Sequence, residues 1–200
     1  VKDIVARVKK EKDSAVIDYT KQFDHFDLTK ENMVVYKDYL DQCTQKVDPH
    51  LITILKEAKK NITAYHNNQV QETWTKEFPR GVRLGQKITP IEKVGVYVPG
   101  GKAFYPSTVL MNVIPALIAG VKEIIAVTPP AHFYNNPLLG ATLALCGIEK
   151  VYLVGGAQAI AALAFGTETI PKVHKIVGPG NIYVSLAKRE VFGYVDIDMI

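Results

Sequence analysis

The chain has 200 residues, of which 48% are hydrophobic and 22% charged, and its formal net charge is +4. These values are typical of a globular protein with a sizeable buried core, and they exclude a chain that is mainly disordered. The apolar runs are shorter than the roughly 18 residues that a membrane-spanning helix needs. The small positive charge is weak support for nucleic-acid binding. We therefore expect no membrane segment and no nucleic-acid partner.

The cysteines and the first residues indicate a compartment. Cys43 and Cys146 are the only two cysteines, and they lie far apart in the sequence. Such a pair does not predict a disulfide framework, and it favours a reducing compartment. The first residues are charged and helix-like, which is not typical of a secretory signal. The sequence therefore predicts a cytoplasmic protein.

Charge and glycine divide the chain into two segments. Residues 1–93 hold most of the charged side chains and only two of the 14 glycines, whereas residues 94–200 hold the other glycines. This change predicts a mainly helical first segment with a small hairpin. The second segment is expected to be more buried, with its glycines in turns.

The first segment contains two helix starts and a strand signal. Asp13 is placed to cap a helix that runs toward Phe23, and Asp48 followed by Pro49 predicts the start of a longer helix. Residues 33–36 form a candidate strand. Apolar residues recur at helical spacing in the longer helix, so one face is expected to pack on the protein. These residues are Leu51, Leu55, Ala58, Ile62 and Tyr65.

The end of the first segment predicts a hairpin. Val82, Leu84, Gln86 and Ile88 recur at every second position, and residues 91–98 follow after Thr89-Pro90. Two such runs separated by a short break are typical of two strands joined by a tight turn.

The second segment alternates between short apolar strands and helices. The predicted strands are 94–98, 123–127, 150–154, 175–177 and 194–199, and the predicted helices are 107–119, 137–146, 157–165 and 181–192. Ser107 and Asn136 are the candidate N-caps of the first two helices. Short apolar strands that alternate with helices predict an α/β fold in which helices cover both faces of a parallel sheet.

Three glycine-rich turns each follow a predicted strand and precede a helix. They are Pro99-Gly100-Gly101, Gly155-Gly156-Ala157-Gln158 and Gly178-Pro179-Gly180-Asn181. In a parallel sheet these turns lie at one edge, where ligands bind and helix N-termini favour anions. None of them matches the standard dinucleotide or P-loop pattern. The turns alone therefore indicate an anionic ligand, and the alternative is that the glycines only make tight turns.

Other chemistries have little support in the sequence. The five histidines are widely spaced, and the two cysteines do not complete a zinc site with them. Cys146 lies at a predicted helix end, where a buried unreactive thiol is expected. His132 is the one histidine that follows a strand at the expected ligand edge.

Longer motifs at these turns resemble one enzyme family. The motifs are Val96-Tyr97-Val98-Pro99-Gly100-Gly101, Ser107-Thr108-Val109-Leu110-Met111, residues 154–168, and Gly178-Pro179-Gly180-Asn181. Together they closely resemble histidinol dehydrogenase, and the resemblance spans essentially the whole chain. Tyr19-Thr20 and Phe23-Asp24 are similar to the family's amino-terminal helix.

The resemblance implies an oxidoreductase that converts L-histidinol to L-histidine through the aldehyde. Two NAD+ are used in succession, as the last steps of histidine biosynthesis. It also implies a zinc-requiring homodimer with an incomplete Rossmann-like nucleotide-binding fold. Matched motif by motif, the implied NAD contacts are Tyr97, Gln158 and Asn181.

The resemblance further implies that the chain is the NAD-side part of a longer enzyme, cut at both ends. Family members continue well past residues 196–199, and the later part carries the zinc ligands, an acid–base Glu-His pair and the substrate-recognition residues. No catalytic or metal-binding residue is therefore expected in these 200 residues, and the isolated chain is expected to be inactive. A non-catalytic nucleotide-binding module is the alternative interpretation.

Overall fold

The structure is a computed structural model, and it describes residues 1–100 and 106–200. The helices in this part of the chain are α1 (Lys2–Glu11), α2 (Asp13–Asp24), α3 (Lys37–Lys46), α4 (Pro49–Asn67), α5 (Pro106–Ile118), α6 (Pro137–Leu145), α7 (Gly156–Phe165) and α8 (Ile182–Val191). The strands are β1 (Val34–Tyr36), β2 (Trp74–Phe78), β3 (Val82–Gln86), β4 (Lys93–Tyr97), β5 (Glu123–Thr128), β6 (Lys150–Leu153), β7 (Lys175–Val177) and β8 (Asp196–Ile197).

The central sheet has six strands in the order β1-β6-β5-β4-β7-β8. The last five strands in chain order, β4 to β8, are parallel, and β1 pairs antiparallel with β6 at one edge. Counted from β4, the parallel strands among the described residues have the spatial order 3-2-1-4-5, which matches the first five positions of the Rossmann order. The predicted parallel sheet and incomplete Rossmann-like fold are confirmed.

Helices cover both faces of this sheet, as predicted. From β4 the chain moves to β5 and β6 in one direction, and it then returns to β7 and β8 on the other side of β4. Because crossovers between parallel strands are right-handed, the connecting helices of the two halves lie on opposite faces. Helices α5 and α6 pack together with α3 and α4 against them, and α7 and α8 pack together with α1 and α2 against them.

Helix α7 is buried on nearly all sides. Eight of its ten residues are buried. On the sheet side, a Cβ added to Gly95 of β4 would lie 2.9 Å from Leu163, so glycine lets the helix approach the strand closely. Helices α1 and α2 pack against the same helix. A helix that is apolar all round is typical of an element packed on several sides. Gln158, in the N-terminal turn of α7, is among these buried residues.

The hairpin differs from the sequence prediction. Residues 82–88 and 91–98 do not pair with each other. Instead β3 pairs with β2, and β4 lies in the central sheet between β5 and β7. Arg80 and Gly81 both have positive φ, and they turn the chain between β2 and β3. Strand β4 is apolar and buried, as is typical of a strand inside a parallel sheet, and it therefore pairs with β5 and β7 and not with the exposed β3.

Two predicted helix caps are confirmed and two are wrong. The side chains of Asp48 and Asn136 accept N–H groups in the first turns of α4 and α6. Asp13 lies inside the first turn of α2 instead, and its buried carboxylate binds Thr169. Helix α5 begins one residue earlier than predicted, so Ser107 is already helical. A cap was thus predicted wrongly where a tertiary partner takes the carboxylate.

Helix α3 was not predicted, because its sequence is mainly polar. It packs against α6, where a Cβ added to Gly140 would lie 2.5 Å from Cys43 Sγ. In the predicted long helix, Leu55 is buried whereas Leu51 and Tyr65 are exposed. The packed face of α4 is therefore narrower than the apolar spacing predicts.

The division at residues 93 and 94 stays a prediction. It coincides with the beginning of β4, yet packing is continuous across it. Strand β1 of the first segment pairs with β6 of the second, and α1 packs against α7. Within residues 1–100 and 106–200, no helix is long and apolar enough to cross a membrane.

Candidate functional site

The glycine-rich turns follow β4, β6 and β7 at one edge of the central sheet. These strands are parallel, so their carboxyl ends share that edge. Pro129 lies beside two of the turns, since a Cβ added to Gly100 or Gly155 would lie 3.1 Å or 2.5 Å from its ring. The shared edge inferred from the sequence is therefore confirmed for the described residues. Gly101, in the first turn, lies outside them.

The same edge contains the switch point of the sheet, between β4 and β7. The chain leaves β4 toward β5 on one side, and β7 leads to β8 on the other. Gly178, directly after β7, has a φ of +111°, and a Cβ there would overlap the carbonyl oxygen of Tyr97. Glycine permits both the backbone conformation and the close approach. In open α/β sheets, ligands bind outside the strand ends at this position.

Tyr97 and Gln158 come together in a buried polar cluster at this edge. The Tyr97 hydroxyl accepts a hydrogen bond from the N–H of Gly156 at 3.2 Å. Gln158, in the first turn of α7, donates from Nε2 to Asp24 Oδ2 at a long 3.5 Å. The side chains of Tyr97 and Gln158 are only 3% and 1% exposed. A phenol, an amide and a carboxyl group thus converge from β4, α7 and α2.

Burial controls protonation in this cluster. It raises the pKa of Tyr97 to about 12, with the charge of Asp24 acting in the same direction and the Gly156 hydrogen bond opposing it. Burial also raises the pKa of Asp24, against the nearby charge of His25. The phenol is therefore neutral at physiological pH, where it can both donate and accept a hydrogen bond.

The raised pKa of Tyr97 predicts a measurable alkaline transition. Because burial favours the neutral phenol, its contribution to stability is complete below the ordinary pKa of 10 and is lost as the pH rises toward about 12. We expect the difference between the ultraviolet pH titrations of the wild type and of Tyr97→Phe to show one phenol that ionises with a midpoint near pH 12. A midpoint at or below the ordinary value would contradict the burial of this hydroxyl.

Asn181 lies on the same edge but in a separate turn. It is the N-cap of α8, and its Oδ1 accepts the N–H groups of Tyr183 and Val184 at 3.0 and 3.1 Å. The residue itself is exposed. Capping occupies its carbonyl oxygen, so its amide nitrogen is the group left to donate to a ligand. The structure thus joins Tyr97 and Gln158 in one cluster and leaves Asn181 at the neighbouring turn.

Two polar residues at this edge carried no predicted role. Asp24 reaches Gln158 from the end of α2, 134 positions away in sequence, and the resemblance at Phe23-Asp24 was its one signal. Thr128 ends β5, and its buried hydroxyl has no hydrogen-bond partner within the part of the chain that the structure describes.

The described residues do not form a metal centre or an activated thiol. Among them, no three His, Cys, Asp or Glu side chains lie close enough to share a metal ion. Cys43 and Cys146 are buried, and burial raises the pKa of Cys146 to about 11, which keeps this thiol protonated. The side chain of His132 lies outside the described part of the structure.

Comparison with known proteins agrees with the sequence resemblance. A family model described as histidinol dehydrogenase matches residues 1–200. Relatives named histidinol dehydrogenase from Aquifex aeolicus and Listeria monocytogenes are 56% and 54% identical over 100% of this chain and 46% of their own length. The crystal structure of histidinol dehydrogenase from Elizabethkingia anophelis has a TM-score of 0.92 and 43% identity, over 98% of this chain and 46% of that one. The chain spans about half the length of these relatives, and it belongs to the histidinol dehydrogenase family.

Proposed function

We propose that this chain forms the NAD+-binding part of a histidinol dehydrogenase, which oxidises L-histidinol to L-histidine through the aldehyde with two NAD+. The observation that supports this most is the convergence of the family-type turns at the switch point of a Rossmann-ordered sheet. Tyr97, Gln158 and Asn181 are the proposed cofactor contacts. Family membership supports the oxidoreductase activity.

The described residues fit a dinucleotide in three respects. Gly178 lets the chain after β7 approach the end of β4 closely, at the switch point where ligands bind in open α/β sheets. Helices α7 and α8 begin at this edge, and helix N-termini favour the charge of a pyrophosphate. Tyr97, Asp24 and Gln158 supply the hydrogen-bonding groups that ribose hydroxyls require. When bound, NAD+ would supply the hydride acceptor, and Tyr97, Gln158 and Asn181 would bind and orient the cofactor.

The described residues do not fit a zinc site by themselves. We propose that the zinc ligands and the proton acceptor lie in the part of the relatives that this chain does not match. Histidinol dehydrogenase activity would then belong to the longer protein, as a homodimer in the cytoplasm. On this proposal, the isolated 200-residue chain gives no histidinol oxidation.

The function is tested on the full-length protein with L-histidinol, NAD+ and zinc. We expect NADH to form in a ratio of two per L-histidinol, with L-histidine as the product. NAD+ binding without turnover would favour the non-catalytic nucleotide-binding module instead. Steady turnover by the 200-residue chain alone would contradict the proposed placement of the zinc and proton-transfer groups.

Replacing the amide side chains tests the proposed cofactor contacts. We expect Gln158→Ala and Asn181→Ala in the full-length protein each to weaken NAD+ binding by roughly 1–3 kcal/mol, because a ligand group loses its partner. Asn136→Ala is the matched control, since it removes a similar amide N-cap from α6. Titration calorimetry measures the dissociation constants. Unchanged NAD+ affinity in both variants would remove them from the site.

A further inference from the structure

A buried lysine holds the turn that carries Asn181. Lys188 lies on α8 and is only 3% exposed. Its Nζ donates to the carbonyl oxygen of Gly178 at 2.6 Å and to Asp198 Oδ1 at 2.6 Å. The lysine therefore joins the start of the turn to the segment that follows β8.

Asp198 binds the same turn directly, through the backbone N–H of Gly178. Its Oδ2 accepts the N–H of Gly178 at 2.7 Å, and its Oδ1 also accepts the N–H of Met199 at 2.7 Å. Both the N–H and the C=O of Gly178 are thus bound by this ion pair. The backbone of one residue is fixed at two points by side chains that lie 10 and 20 positions further along the chain.

Because Gly178 lies against the end of β4, the ion pair of Lys188 and Asp198 also determines where the turn lies relative to β4. Gly178 lies so close to the end of β4 that a Cβ would overlap the carbonyl oxygen of Tyr97. Burying an ammonium group is costly unless it is paired and hydrogen-bonded, and an apolar side chain would fill the same space at lower cost. The pair fixes the turn more firmly than apolar packing could, because it bonds directly to the backbone.

We propose that Lys188 and Asp198 are positioning residues, which set NAD+ affinity by fixing the Gly178–Asn181 turn against β4 without touching the cofactor. The inference rests on the proposed function, because it requires that this turn contacts NAD+. The pair keeps the turn in its binding geometry before the cofactor arrives, so less free energy is spent on ordering the turn during binding.

The test uses Lys188→Met and Asp198→Asn in the full-length protein. We expect the dissociation constant and the KM for NAD+ to rise about tenfold in each variant, which corresponds to about 1.4 kcal/mol. The KM for L-histidinol and the kcat at saturating NAD+ should change by less than about threefold, because moving the turn is expected to affect cofactor binding and not the later steps. The double variant should be little worse than either single variant, because the two side chains act as one unit.

Lys175→Met is the matched control. Lys175 also links β7 to β8 through an ion pair, with Asp196 at 2.6 Å, and it does not bind Gly178. We expect its NAD+ affinity to equal that of the wild type. Circular dichroism and thermal melting verify that each variant is folded.

The outcomes separate this inference from the proposed function. A wild-type protein that does not bind NAD+ would overturn the proposed function and the inference with it. If the wild type binds NAD+ and the dissociation constants of the folded variants stay within about twofold of its value, the positioning inference is wrong while the proposed function stands. If neither variant folds, the pair serves stability alone. An equal loss of NAD+ affinity in Lys175→Met would also overturn the positioning inference, because the effect would not be specific to the Gly178 turn.

Discussion

Gly178→Ala is expected to lower the free energy of unfolding of the full-length protein by about 3–5 kcal/mol, an unusually large effect for one methyl group. Gly178 has a φ of +111°, which disfavours any side chain, and the added Cβ would overlap the carbonyl oxygen of Tyr97. Relief of the overlap requires the turn to move away from β4. We therefore also expect NAD+ affinity to fall by roughly 100-fold. Urea denaturation and NAD+ titration measure the two effects.

Gly193→Ala separates the two causes. Gly193 has a φ of +97°, yet a Cβ there would meet no atom within 4 Å. This control should lose about 1–2 kcal/mol from the backbone conformation alone and should keep its NAD+ affinity. A similar loss of stability in both variants would show that the approach of Gly178 to Tyr97 is not tight.

Asp13→Ala is expected to lower the free energy of unfolding by about 2–4 kcal/mol, because it removes a buried carboxylate that accepts two hydrogen bonds from the partly buried Thr169. Asp13 is only 1% exposed, and its carboxylate accepts from the hydroxyl of Thr169 at 2.6 Å and from its N–H at 3.3 Å. These bonds fasten α2 beside the end of α7. We expect the loss to appear as a lower urea midpoint with an unchanged slope.

Asp18→Ala is the matched control for this prediction. Asp18 lies on the same helix and pairs with Arg7, but both side chains are well exposed. An exposed pair contributes about 0.2–1 kcal/mol, so the control should change the midpoint little. Equal losses in the two variants would contradict a special role for the buried carboxylate.

The sequence predicted the features that depend on neighbours along the chain. The alternation of strands and helices in residues 94–200 follows from local hydrophobic patterns, and the caps at Asp48 and Asn136 depend on residues within one turn. The three glycine-rich turns were predicted to share an edge, because parallel strands end on the same side. These predictions needed no knowledge of which strands are adjacent.

The candidate site was predictable in part for the same reason. Tyr97 ends a strand, and Gln158 and Asn181 each follow one, so their common edge could be inferred from chain order. Their individual environments could not. The burial of Gln158 against Asp24 depends on how α2 and α7 pack together. Their contacts with NAD+ stay predictions.

By itself, the sequence determined the fold class, the shared edge of the glycine-rich turns and the family resemblance, because periodicity and local motifs encode them. The tertiary structure decided which distant residues meet. Asp13 was predicted to cap a helix, but its carboxylate binds Thr169, which lies 156 positions away. Strand β4 was predicted to form a hairpin with residues 82–88, but it lies in the central sheet. Lys188 binds Gly178 and Asp198 because the fold brings α8 to the residues that directly follow β7 and β8. The physical reason is that a buried polar group must find a partner, and strand order, not sequence distance, determines which partner is in reach.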